Sequence, residues 1–105
     1  MDMNNMLEQV NFIREKLAAL GEELKTVSIE GTDSNNILTA VVSGNGIVRN
    51  YFFNPDQIGS INKENLIQAI VEATNDALKK ARKYEIDRKK EIAGNVNIPD
   101  MPGLF

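Results

Sequence analysis

The fold is decided by residues 37–53, ILTAVVSGNGIVRNYFF. Two runs rich in β-branched and aromatic residues, 37–43 and 47–53, flank the tripeptide Gly44-Asn45-Gly46. Because Gly and Asn tolerate positive φ angles, this tripeptide between apolar runs predicts a β-hairpin. Both runs carry apolar residues at odd and even positions, so both faces of the predicted sheet need cover. A helix can cover one face, and we expect a second copy of the chain to cover the other.

The residues before the hairpin predict one strand and one long helix. Residues 26–30 alternate polar with apolar side chains, which favours a half-buried strand, and GTDSNN at 31–36 has the composition of a turn. Upstream, apolar residues recur in steps of three and four, a spacing that predicts an amphipathic helix over residues 3–24. Its apolar positions are Met3, Met6, Val10, Ile13, Leu17, Leu20 and Leu24.

A second long helix follows the hairpin. Asn54-Pro55-Asp56 ends the third strand, Asn62 is the predicted N-cap of a helix from Lys63, and no helix breaker occurs before Gly94. At about 1.5 Å per residue this helix would be roughly 45 Å long. A compact chain of this length has a radius of gyration of only about 13 Å, so the helix should protrude as an arm, paired with the first helix.

The predicted fold class is therefore α+β, an α-β-β-β-α protomer with a three-stranded antiparallel sheet and two long helices. Residues 1–94 form one domain, and residues 95–105 form an extended or disordered tail because they contain two prolines and a glycine. The length of 105 residues suits a single domain.

Composition excludes most catalytic chemistry. The chain has no cysteine and no histidine, which removes disulfides, thiolate zinc sites, Ser-His or Cys-His nucleophiles and imidazole acid/base catalysis. No convergent acid/base pair is visible, so we expect no enzyme activity, no cofactor, no metal and no small-molecule substrate. No run approaches the roughly 20 apolar residues of a membrane span and no signal peptide is recognisable, so a cytoplasmic protein is expected.

Charge is distributed unevenly. The net charge is -3, yet residues 77–92 hold seven bases against three acids. On a helical wheel, Lys79, Lys83 and Lys90 line up opposite the apolar face, with Arg82 and Lys89 in a second row. Such rows can neutralise phosphates along a DNA backbone without reading bases. The candidate DNA-binding set is Lys79, Lys80, Arg82, Lys83, Arg88, Lys89 and Lys90.

A structural interpretation competes with the binding one. Charge runs on long helices are often solvated faces, and here Asp76 with Lys80 and Glu85 with Lys89 have the i,i+4 spacing of ion pairs. Asn75 is better explained by a bond to the sheet or to a partner's backbone than by ligand binding, and Asp76 by balancing nearby lysines.

Four pieces of sequence carry a resemblance: VVSGNGIV at 41–48, Asn54-Pro55, LIQAIVEATNDA at 66–77, and PDMPGLF at 99–105. In this order they resemble the YbaB/EbfC family of small bacterial nucleoid-associated proteins, which usually has Asp-Pro where this chain has Asn54-Pro55. The resemblance implies a tweezer-like homodimer in the cytoplasm, associated with the nucleoid and without catalytic activity. Its helical arms would bind double-stranded DNA with little sequence preference.

The chain departs from the family's sequence pattern at two points, and a rival function also fits the sequence. The loop 31–36 keeps only one of the glycines common in the family, and the first helix is net acidic, which questions its contact with phosphates. The rival is a protein-interaction or scaffold module that acts through its dimer surface and the apolar tail 98–105, without direct DNA binding. The acidic pI of about 4.9 favours that rival.

Overall fold

The computed structural model describes residues 3–95 and confirms the α-β-β-β-α order. The elements are α1 (Met3–Thr26), β1 (Ser28–Thr32), β2 (Leu38–Ser43), β3 (Val48–Phe53), α2 (Pro55–Ile58) and α3 (Lys63–Asn95). The predicted tail therefore lies outside the described residues, except for Asn95, which is the last residue of α3. The short α2 was not predicted.

The helix starts follow from local capping. Asn62 Oδ1 accepts a hydrogen bond from the Asn65 amide at 2.8 Å, as its predicted N-cap role requires. Asn54 caps α2 in the same way, accepting from the Asp56 amide at 3.2 Å, and Pro55 occupies the first helical position. Gly94 does not end α3, which continues to Asn95.

β1 begins and ends two residues later than the sequence pattern predicts. The last turn of α1 extends to Thr26, whose hydroxyl donates to the Glu23 carbonyl at 3.0 Å, so the strand starts at Ser28. The strand then passes through Gly31, and the turn starts only at Asp33. The buried Asp33 carboxylate organises this turn by accepting from the amides of Ile37 and Leu38 at 2.8 and 2.9 Å.

The sheet is antiparallel in the order β1-β2-β3, and its central hairpin is the predicted one. The Ser43 amide donates to the Ile47 carbonyl at 2.9 Å, which closes the hairpin. Gly46 adopts a φ of +84°, the left-handed conformation for which the Gly-Asn-Gly tripeptide is suited.

α3 covers one face of the sheet at very short range. The buried core joins residues of β2 to a row of alanines on α3: Leu38, Ala40, Val42, Ala69, Ala73, Ala77 and Ala81. β1 crosses the helix at Gly31, where an added Cβ would lie 2.2 Å from the Ala77 nitrogen and 2.6 Å from the Ala73 oxygen. Small side chains on both sides therefore permit this close approach.

The edge strand β3 stays largely exposed within one chain. Phe52 is 57% exposed, and Val48, Ile47 and Phe53 are exposed as well. Tyr51 is the half-buried member of the aromatic run, with its hydroxyl 2.7 Å from Thr74 Oγ1 on α3. Of the three consecutive aromatic residues 51–53, Tyr51 thus packs against the core, because successive side chains of a strand point to opposite faces of the sheet.

The second half of α3 leaves the sheet and pairs with α1, which confirms the protruding arm. A small apolar cluster of Leu20, Leu24 and Ile92, with Leu17 and Tyr84 packed on it, joins the two helices. The molecule measures 68 × 21 × 17 Å, with a radius of gyration of 19.1 Å against about 13 Å for a compact chain of this size. Within the described residues, neither long helix is apolar enough to span a membrane.

Candidate nucleic-acid interface

The candidate interface is the solvent-facing side of α3 from Lys79 to Lys90, which we call the basic face. A helix packed along one side by the sheet and by α1 leaves its opposite side to polar residues. Three bases on this side are exposed and form no ion pair within residues 3–95: Lys79, Arg82 and Lys90. They can bind an anion without first giving up a protein partner.

Three further bases pair with acids one turn away on α3. Lys80 Nζ lies 2.9 Å from Asp76 Oδ2, Lys83 Nζ lies 2.7 Å from Asp87 Oδ2, and Lys89 Nζ lies 3.4 Å from Glu85 Oε1. Two of these pairs are the ones expected from the i,i+4 spacing. The Lys83 side chain is still 75% exposed. Because exposed pairs contribute little free energy, such lysines can exchange a carboxylate for a phosphate at small cost.

Two of the acids in these pairs, Asp87 and Asp76, are held in their charged form. The hydrogen bond from Lys83 lowers the pKa of Asp87 below its ordinary value. The pKa of Asp76 is lowered first by Lys80 and then by the Thr32 amide, which donates to Asp76 at 3.0 Å. Asp76 thus pairs with a nearby lysine, as expected, and it also links α3 to β1, which was not predicted. Asn75 is exposed and makes no hydrogen bond to the described part of the sheet.

Arg88 has a different position from the other six predicted bases. Its Nε and Nη2 donate to the two carboxylate oxygens of Glu23 on α1, at 2.8 and 3.0 Å, and its Nη1 donates to Glu91. Tyr84 donates its hydroxyl to the same Glu23 at 2.8 Å. Arg88 is therefore placed between the helices, and we call Glu23, Tyr84 and Arg88 the arm clasp.

The contacts of the arm clasp shift the pKa values of its three members, each in the direction that favours the hydrogen-bonded form. The hydrogen bond from Arg88, followed by that from Tyr84, lowers the pKa of Glu23. The hydrogen bond to Glu23 raises the pKa of the Tyr84 phenol, and the carboxylates of Glu23 and Glu91 raise the pKa of Arg88. Glu23 and Arg88 therefore stay ionised as a charge-assisted, bidentate contact that fixes α1 against α3.

One residue of the basic face was not singled out by the sequence reasoning. Ile86 is exposed in the middle of the bases, although it is aliphatic. The signal that could have found it is the spacing, because its neighbours three and four residues away on both sides are all basic.

Within residues 3–95, no group of three or more acidic side chains is arranged to hold a metal ion.

Comparisons with known proteins agree with one another. Residues 1–96 match the model of the YbaB/EbfC DNA-binding family. The chain is 30% identical over 104 residues to nucleoid-associated protein TTE0040 of Caldanaerobacter subterraneus, covering 99% of this chain and 91% of the relative. It is 31% identical over 103 residues to a nucleoid-associated protein of Syntrophobacter fumaroxidans, covering 96% of this chain and 94% of the relative.

A solved structure has the same fold. The crystal structure of the uncharacterized protein HP0035 from Helicobacter pylori superposes with a TM-score of 0.65 at 17% identity. The match covers 90% of this chain and 96% of that chain.

Proposed function

The chain belongs to the YbaB/EbfC DNA-binding family, and we propose that it is a nucleoid-associated protein that binds duplex DNA with little sequence preference through its basic face. The observation that carries the proposal is the row of exposed bases on a helical arm, three of which have no ion-pair partner in residues 3–95. The names of the relatives support the nucleoid as its location. The family match does not favour a scaffold protein without DNA binding.

Binding rests on charge more than on base recognition. Lys79, Arg82 and Lys90 are available to phosphates directly, and Lys83 and Lys89 become available when they leave their helical partners. Each neutralised phosphate releases condensed counterions, so affinity should fall steeply as salt rises. The exposed acids of α1, among them Glu8, Glu15 and Glu22, favour α3 as the side that faces DNA.

We also propose that the protein acts as a homodimer joined through β3. An edge strand offers unpaired backbone donors and acceptors, and this one also exposes Val48, Phe52 and Phe53. A second copy supplies an identical edge and an identical apolar surface, as a two-fold interface requires. Two protomers would present two basic faces to one duplex, which raises the local concentration of the second arm once the first is bound.

The test is a charge reversal on the basic face. The triple variant Lys79→Glu, Lys83→Glu and Lys90→Glu should bind a random-sequence duplex about tenfold or more weakly at low salt. The slope of log affinity against log salt should become shallower by about 2 to 3 per protomer, since each phosphate that is no longer neutralised removes roughly 0.9 from it. Fluorescence anisotropy measures both quantities.

The matched control reverses three exposed bases elsewhere: Arg14→Glu, Lys16→Glu and Lys63→Glu. This variant has the same net charge as the first one, so a purely global charge effect would weaken both equally. Equal losses would contradict the assignment to the basic face, and so would unchanged affinity in the first variant. A hundredfold preference of the unaltered protein for one duplex sequence would contradict the phosphate-based mechanism. Light scattering tests whether each sample is dimeric.

A further inference from the structure

Ile86 is an aliphatic residue at the centre of the basic face. Its side chain is 46% exposed, and it packs into neither of the two apolar clusters of the described chain. All four residues that neighbour it along the helix surface, three and four positions away in each direction, are bases: Arg82, Lys83, Lys89 and Lys90. The core therefore does not account for an isoleucine here.

The four bases flank Ile86 in pairs. Successive residues of an α-helix are about 100° apart, which puts Arg82 and Lys89 about 40° and 60° to one side of Ile86. Lys90 and Lys83 lie about 40° and 60° to the other side. The basic face thus has two rows of cations with one apolar side chain between them.

An α-helix has the width of a DNA major groove. A helix with its side chains is about 10–12 Å across, which fits the major groove of about 12 Å and exceeds the minor groove of about 6 Å. If the two rows of bases bind the phosphates of the two strands, the residue between the rows faces the base edges. The apolar group exposed on those edges is the C5-methyl of thymine.

We propose that Ile86 contacts thymine methyl groups in the major groove while the flanking bases hold the phosphates. This inference rests on the proposed DNA-binding function and adds a base-edge contact to it. Because thymine occurs in nearly every sequence, such a contact adds affinity and gives only a small bias toward A·T-rich DNA. It therefore remains compatible with low sequence preference.

The test combines a protein variant with a change of one methyl group in the DNA. Affinity is measured for two A·T-rich duplexes of identical sequence, one with thymine and one with deoxyuridine, which lacks the C5-methyl. The unaltered protein should bind the deoxyuridine duplex about fourfold more weakly for each methyl group that Ile86 no longer meets, the equivalent of one buried CH₂ group. Ile86→Ala should bind both duplexes equally, and more weakly than the unaltered protein binds the thymine duplex.

The controls separate this contact from structural effects. Ile67→Ala removes the same side chain from the same helix at a position that is 62% exposed and away from the basic face, and it should retain the preference for thymine. Ile86→Ala should keep the salt slope, because no charge is removed, and it should keep helicity by circular dichroism. Ile86→Leu should restore most of the preference for thymine.

The possible outcomes are distinct. If the unaltered protein binds both duplexes alike with the expected salt dependence, the methyl contact is refuted while the proposed function stands. If it binds neither duplex at low salt, the proposed function itself fails. An equal loss by Ile86→Ala on both duplexes, with no thymine preference in the unaltered protein, would also refute the contact. If the protein bends DNA markedly and binds both duplexes alike, the methyl contact is refuted and insertion of Ile86 into the minor groove takes its place.

Discussion

The two halves of α3 are one continuous helix in two different environments. Residues 63–81 lie on the sheet, where alanines and Gly31 bring two backbones into direct contact. Residues 82–95 lie on α1, joined by a few large apolar side chains and the arm clasp. The first half is a close-packed base and the second a thinner arm. The comparison teaches that close packing is concentrated in the base, while the arm leaves a charged surface exposed to solvent.

The largest expected effect tests the close packing of the base. Gly31→Val places side-chain atoms where the Ala77 nitrogen and the Ala73 oxygen lie, only 2.2 and 2.6 Å from a Cβ, and backbone atoms cannot move aside locally. We expect a loss of about 3 kcal/mol or more in the free energy of unfolding, from urea denaturation, because overpacking at a backbone contact is poorly relieved.

The control for that variant is a glycine with open space. Gly21 in α1 has no atom within 4 Å of an added Cβ, so Gly21→Ala should raise stability by up to about 1 kcal/mol through better helix propensity. If Gly31→Val unfolds at the same urea concentration as the unaltered protein, the base is not held as tightly as the distances indicate.

A smaller effect is expected from truncating a side chain in the arm. Leu20 is buried against Leu24 and Ile92, so Leu20→Ala should cost about 2–3 kcal/mol, at the lower end of such substitutions because the arm can close around the gap. Hydrogen exchange should accelerate at residues 84–95, where α3 packs on α1, and stay slow at residues 69–81. Equal acceleration in both halves would mean that base and arm unfold as one unit.

The smallest effect concerns the arm clasp and its pH dependence. Glu23 has a folded-state pKa below its unfolded value, so its contribution to stability is complete above that unfolded value, about 4.3, and is lost as the pH falls through the lowered pKa. Glu23→Gln should lower the Tm by a few degrees at pH 7, and the difference from the unaltered protein should shrink in acid. Thermal melts between pH 7 and 2 measure it.

Glu15→Gln is the control for the arm clasp, since Glu15 is exposed on the same helix and makes no ion pair within the described residues. Its Tm should follow that of the unaltered protein at every pH. A constant difference for Glu23→Gln across the whole pH range would indicate that the charge of Glu23 does not support the arm.

Local sequence signals predicted the elements of the fold well. The three-and-four spacing predicted α1, the Gly44-Asn45-Gly46 turn predicted the hairpin, and the Asn62 cap predicted the start of α3. The late end of β1 was missed for a tertiary reason. Gly31 has the local chemistry of a turn, yet it lies inside the strand, where glycine is needed because α3 passes too close for any side chain. The four-residue α2 is too short for a periodic pattern.

The site was predictable to the extent that it depends on helical spacing. The wheel placed Lys79, Lys83 and Lys90 together, and all three are exposed on α3. It could not show that Arg88 meets Glu23, because the two are 65 residues apart and their contact depends on how α1 folds back. Counting charges therefore grouped Arg88 with the basic face, whereas geometry puts it in the arm clasp.

That separation of 65 residues also sets an order of events during synthesis. A ribosome adds about 5–20 residues per second, so Glu23 waits roughly 3–13 s before Arg88 is made. During that interval the apolar stripe of α1 has no α3 to pack against. The hairpin and its short turn can form at once, whereas the arm can close only after α3 has left the ribosome.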